Sequence, residues 1–183
     1  RIGYARFALR NVTYSRPGVT VTAARVETDT PLLWGWRKAF AHGSPAAVTH
    51  WAVVVTAGQP EKKSTGQMGV VQLHALLNRI QSYLQRWLPE AAARDGSVRW
   101  PLGGLSLDGA TWDGRTLQFS GLGWPHGKVD GRVLFENDKT ISAEVNQTGD
   151  LRARVRWTGV EATGEFSAWS QPMPVRARFG ERG

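Results

Sequence analysis

The sequence predicts a mainly β chain: an extended antiparallel meander or curled groove, with one amphipathic helix packed on or beside the apolar face. Three observations lead there. Apolar and polar residues alternate with a period of two through most of the second half, which places successive side chains on opposite faces of a strand. Turn residues separate these runs at short intervals, and connections that short join antiparallel neighbours, because a parallel pair needs a long crossover. A single stretch keeps a helical period instead.

Taken in order, Ile2 to Tyr14 and Val19 to Thr28 flank Ser15-Arg16-Pro17-Gly18, a hairpin signature. Pro31 to Phe40 fits either a short helix opened by Pro31 or a loop around Trp34-Gly35-Trp36. Ala46 to Ala57 reads as a strand with a nearly continuous apolar centre, Trp51 to Val55. Leu73, Leu76, Leu77, Ile80, Leu84, Trp87 and Leu88 then follow spacings that line one side of a helix, with Gln72, Asn78, Arg79, Gln81, Gln85 and Arg86 on the other. Pro89 stops it, since the residue before proline is pushed out of helical geometry. Positions 72–88 span roughly 25 Å at ~1.5 Å per residue, enough to lie along an apolar sheet face.

Further strands follow from Ser97 to Trp100, at Leu105 and Leu107, from Ala110 to Trp112, from Leu117 to Gly121 and from Lys128 to Glu136, around Asp108-Gly109 and Asp113-Gly114 turns. Ile141, Ala143 and Val145 alternate with polar residues, as do Leu151, Ala153, Val155 and Trp157, the run from Val160 to Ala168, and Val175, Ala177 and Phe179. Asn137-Asp138-Lys139, Gln147 to Asp150, Thr158-Gly159 and Gln171-Pro172 supply turn chemistry between them. The organisation is one β-rich unit over 1–183: an N-terminal strand group (1–57), a helical element at about 68–93 and a C-terminal meander (96–179).

Reaction chemistry finds little support. The chain has no cysteine, which excludes disulfides, thiolate metal sites and cysteine nucleophiles. His42, His50, His74 and His126 lack paired ligand spacing, and no Gly-x-Ser-x-Gly elbow or phosphate-cradling glycine loop occurs. The expectation is a non-enzymatic protein with no metal and no cofactor.

Nine tryptophans compete between core packing, stacking on sugars or bases, and a membrane interface. Trp51, Trp87 and Trp157 sit on apolar faces and suit packing, whereas Trp34 and Trp36, next to Arg37 and Lys38, suit a membrane-proximal position. The net charge of +8 is concentrated: residues 1–95 hold 12 Lys/Arg against 5 Asp/Glu, and the second half holds 11 against 10. That bias fits attraction to an anionic membrane surface, or solubility alone. Arg152, Arg154 and Arg156 share one strand face, but Glu144, Glu161 and Glu165 fall on the same polar side, so cross-strand ion pairs are expected there rather than a nucleic-acid track.

The phrasing of Gly104 to Leu117, Val129 to Phe135 and Gly149 to Val155, together with Phe7 to Val12 and Pro17 to Val21, resembles the strand-and-turn cadence of the AsmA-like superfamily of bacterial envelope proteins of the TamB and YdbH type. The likeness covers much of residues 1–30 and 96–179 and has no counterpart for the helix. It implies a periplasmic location, an inner-membrane anchor outside this segment, and an apolar β groove carrying phospholipid acyl chains between membranes. The sequence begins with Arg1 and has no run near the ~18 apolar residues of a bilayer span. It therefore reads as part of a longer protein whose remainder is a partner. The candidate lipid-lining residues are Ile141, Val145, Leu151, Val155, Trp157 and Phe166. The competing expectation is a structural or protein-interaction module of the envelope whose apolar face is closed by the helix.

Overall fold

Eleven strands form one sheet in the order in which the chain makes them. The computed structural model describes residues 6–33, 35, 46–56, 70–88, 90–124, 127–137, 140–147, 151–168 and 171–179. The strands are β1 (Arg6–Arg16), β2 (Val19–Asp29), β3 (Ala46–Val55), β4 (Ala91–Trp100), β5 (Gly103–Trp112), β6 (Thr116–Trp124), β7 (Gly127–Asn137), β8 (Thr140–Gln147), β9 (Leu151–Trp157), β10 (Glu161–Ala168) and β11 (Gln171–Arg178). Neighbours are antiparallel, except that β3 and β4 are parallel. A parallel pair needs a crossover, and this one carries the helix α1 (Val70–Trp87). The fold class expected from the sequence is the one found: mainly β, largely antiparallel, with an amphipathic helix beside the apolar face.

Local chemistry explains the connections. Pro17 and Gly18 make the β1–β2 turn, with Gly18 at φ 84° as the third position of such a turn requires. At the β5–β6 turn the Asp113 carboxylate accepts hydrogen bonds from the backbone N–H groups of Arg115 and Thr116, at 2.9 and 2.7 Å. These donors hold its pKa below the usual 3.8.

Several boundaries differ from expectation, each for a physical reason. Asp108-Gly109 is not a turn but the middle of β5. The fourth strand starts at Ala91 rather than Ser97, because three consecutive alanines carry no alternation to read, and the helical element correspondingly ends at Trp87. Gln171-Pro172 is likewise not a turn but the start of β11. Phe179 donates its N–H to the carbonyl of Val160, so odd-numbered residues bond inward to β10. Pro172 and Pro174 then fall on the outward side, where no ladder bond is lost and where an incoming strand would find two donors missing. Pro31 to Leu33 begin a helical turn.

Within β1 to β6 the alternation slips by one residue, at a single level across the sheet. The apolar face runs Phe7, Leu9, then Val12 and Tyr14 in β1; Val48, then Trp51 and Val53 in β3; Ala93, then Gly96 and Val98 in β4; and Leu107, then Ala110 in β5. At the slip stand Asn11, His50 and Asp95, with φ of 53°, 49° and 52°. Each strand supplies one extra residue at this level, so the pairing stays one to one: Val12 faces Ala23, Ala23 faces Trp51, Trp51 faces Gly96 and Gly96 faces Leu107. The left-handed backbone there returns the next side chain to the same face. The line ends at Gly121 (φ 60°) in β6, where the register to β7 shifts between Phe119 and Leu122 and Gly121 donates its N–H to Asp130 Oδ1 at 2.7 Å. A β-bulge absorbs the extra residue.

Candidate functional site

The alternation places most apolar side chains of the eleven strands on one face, with Val54 and Leu134 on the other. In the C-terminal meander its rows are set by register: Phe135, Ile141, Trp157 and Ala162 in one; Val133, Ala143, Val155, Gly164 and Val175 in the next; Gly131, Val145, Ala153, Phe166 and Met173 in the third. All six sequence-predicted lining residues therefore lie on this face, with Ile141 directly opposite Trp157 and Leu151 opposite Gln147. Ile141 is buried, Val155 is 40% exposed and the other four are half-buried.

Nothing among the described residues forms a second layer over most of this face. Among the described residues, Ala23, Trp112 and Ile141 are the buried apolar side chains, and no large side chain is fully buried. Tyr14, Leu9, Met173 and Val175 remain about half exposed. A one-sided sheet ordinarily buries its apolar side against another layer.

What covers the face from within is its own rings. The Trp51 indole lies over Gly96, where a Cβ would meet three indole atoms at 2.1 to 2.5 Å. Phe119 lies over Gly131 in the same way, 2.6 Å from where a Cβ would stand, and Trp100 approaches Gly103 at 3.3 Å. A ring laid across a glycine on the next strand shields backbone and recovers the apolar contact that the glycine lacks. Alternation alone does not announce these pairs, although the spacing of three from Val48 to Trp51 and from Ala93 to Gly96 marks the slip that aligns them.

The helix α1 closes one end of the face. The His74 ring meets Trp157 edge-on, centroids 4.8 Å apart. Gly159, in the turn after β9, comes so close that a Cβ would lie 3.1 Å from His74 Nδ1. At the other end of the helix, the Trp112 indole N–H donates to the carbonyl of Leu88 at 2.9 Å, and Trp112 packs edge-on against Phe135. The ~21 Å from residue 74 to residue 88 matches the ~19 Å across four strand spacings from β5 to β9.

Its orientation departs from the expectation of an apolar side laid on the sheet. Among the described side chains of α1, His74 and Gln81 are buried, Val71, Leu77, Asn78 and Leu84 are half-buried, and Asn78 is hydrogen-bonded to His74 Nδ1 at 3.3 Å. Leu73, Leu76, Ile80 and Tyr83 are exposed, at 41%, 37%, 45% and 61%. The helix meets the sheet at its end, where turns present backbone and glycine, and a mixed side of His74, Asn78 and Gln81 with half-buried Leu77 and Leu84 fits inward.

The opposite face carries the charges. Glu144 pairs with both Arg132 (2.8 Å) and Arg154 (3.0 Å), and Glu136 pairs with Arg156 at 2.9 Å. The Arg154 hydrogen bond holds Glu144 below its ordinary pKa, and for Glu136 the Ser142 hydroxyl and then Arg156 do the same. Glu161 pairs with Arg176 of β11 rather than with the row of three arginines. Shallow depressions of about 700 and 650 Å³ open on this polar face, one of them lined by Arg94, Gln118, Asp130, Arg132 and Glu144.

His50 stands 3.7 Å from Asp95. No three His, Asp or Glu side chains cluster as metal ligands among the described residues. Trp34, Trp36, Arg37 and Lys38 lie outside the described residues, as do His42 and His126. No helix among the described residues is long and apolar enough to cross a membrane.

Face, slip and end helix together define a class: an open, single-layer β meander with one continuous apolar surface. No family model, curated protein or solved structure matches the chain.

Proposed function

We propose that this chain is a non-enzymatic segment of an AsmA-like protein of the periplasm that holds phospholipid acyl chains on its apolar β face, in intermembrane lipid transport or outer-membrane homeostasis. The single observation behind this reading is a continuous apolar face, spanning eleven paired strands, which the described residues cover at one end only. Acyl chains are apolar, flexible and narrow, and a face of this kind takes them without requiring directional contacts. The limited reach of α1 favours this over a module with a plugged, dry core. The remainder of a longer chain, and an inner-membrane anchor within it, belong to the same proposal.

Purification under native conditions followed by lipid mass spectrometry tests it. Stoichiometric phospholipid, displaced by a fluorescent fatty-acyl probe, is the expected result. A lipid-free protein that leaves the probe unbound would overturn the proposal.

A further inference from the structure

We infer that α1 docks on an anionic membrane surface through its outward apolar stripe. Leu73, Leu76, Ile80 and Tyr83 follow spacings of three, four and three, and at ~100° per residue they fall within an arc of about 80°. All four are exposed. The side turned into the protein is a mixed one, where His74 and Gln81 are buried, Leu77, Asn78 and Leu84 are half-buried, and His74 is held against Trp157 and Gly159. A helix fixed in this orientation leaves Leu73, Leu76, Ile80 and Tyr83 turned away from its own sheet.

Charge names the occupant. The helix has no aspartate or glutamate and carries Arg79 and Arg86, which sit together on one flank of the stripe. Apolar residues bordered by arginine, with no acid to repel a phosphate, match the boundary between headgroups and acyl chains. A protein groove would need no such flank. Position agrees: Leu32, 89% exposed, and Val160, 56% exposed, project from the same end of the sheet as α1. That end would then face the bilayer. The inference stands whether or not the sheet face holds lipid, because it concerns a different surface.

The absence of cysteine allows site-specific labels in the full chain. Ile80→Cys, Tyr83→Cys and, on the exposed polar flank, Ser82→Cys are each labelled with an environment-sensitive nitrobenzoxadiazole dye. Each is then mixed with vesicles of phosphatidylglycerol or of phosphatidylcholine. The expected result is a several-fold brightening with a blue shift at 80 and 83 on phosphatidylglycerol, little change at 82, and loss of the signal in high salt. Paired Arg79→Gln and Arg86→Gln substitutions lower partition to phosphatidylglycerol on the order of tenfold. Leu76→Ser with Ile80→Ser abolishes flotation while far-ultraviolet circular dichroism is unchanged.

Equal brightening at 82, no response to either lipid, or undiminished binding of the arginine variant would overturn the inference. So would a shift at 80 that grows with protein concentration in the absence of vesicles, which would assign the stripe to a second copy of the chain. Acyl-probe binding to the sheet face is read separately, so failure here and failure of the lipid-holding role give different results.

Discussion

The indole of Trp51 lies over Gly96, its register partner on the neighbouring parallel strand. A sheet with one uncovered side needs shielding from within, and this pair provides it next to the slip at His50 and Asp95. A Cβ at position 96 would meet Cε2, Cζ2 and Nε1 of the indole at once, so the whole ring must lift. Gly96→Ala is expected to cost about 1–3 kcal/mol and, at roughly 2–4 °C per kcal/mol for a chain of this size, to lower the melting temperature by several degrees. Thermal circular dichroism measures the loss, and a red shift in tryptophan emission reports the displaced ring.

Asn11 and Asp95 hold left-handed backbone inside strands, a conformation that side chains other than glycine adopt at a cost. Asn11→Gly is expected to gain up to about 1 kcal/mol there, less the greater chain entropy of glycine in the unfolded state. Asn11→Val should lose more than that, since a β-branched residue resists this region most. Urea midpoints of the two variants falling in the reverse order would remove the slip as an explanation of the register.

Trp112 anchors the C-terminal end of α1 through its N–H to Leu88. Trp112→Phe keeps an aromatic side chain and deletes the donor, for an expected loss of about 1 kcal/mol. Its signature is local: amide hydrogen exchange should quicken over residues 84–88 and stay near wild type in β8 and β9. Uniform acceleration everywhere would mean that the anchor is not what holds the helix.

Glu144 and Glu136 both titrate below their ordinary 4.5 because arginines and a hydroxyl stabilise the charged form. A carboxyl with a lowered folded-state pKa adds stability above its unfolded value, and that contribution is lost as pH falls through the folded value. Stability should therefore hold from neutral pH down to about 4.5 and decline below it. Glu144→Gln should flatten the decline, by under roughly 1 kcal/mol because the paired arginines are solvent-exposed. Urea titrations at pH 7, 4 and 3 compare the two proteins.

Val155 stands in the middle row of the apolar face, between Ala143 and Gly164 and 40% exposed. Val155→Glu places a charge there at little structural cost and should abolish binding of a fluorescent acyl probe. Arg154→Glu, on the opposite face of the same strand, should leave probe binding intact. Equal loss in both would point to general disturbance of the sheet.

The alternation of Ile141 to Val145 and of Leu151 to Trp157, and the turn chemistry between them, determined by themselves that this part of the chain is a meander with one apolar side. They placed all six lining residues on a single face, because a period of two leaves a side chain only two choices. The helix, too, was legible from its period. Its orientation was not: an apolar stripe states which residues share a side, and only the packing of His74 against Trp157 and Gly159 decided that Leu73, Leu76 and Ile80 turn outward while Leu77 and Leu84 are half-buried. The parallel pairing of β3 with β4, and the alignment of Asn11, His50 and Asp95 into one line, likewise came from the tertiary structure. Each slip is local to its own strand, and a slip becomes an aligned feature only when neighbouring strands pair so that their extra residues meet at one level.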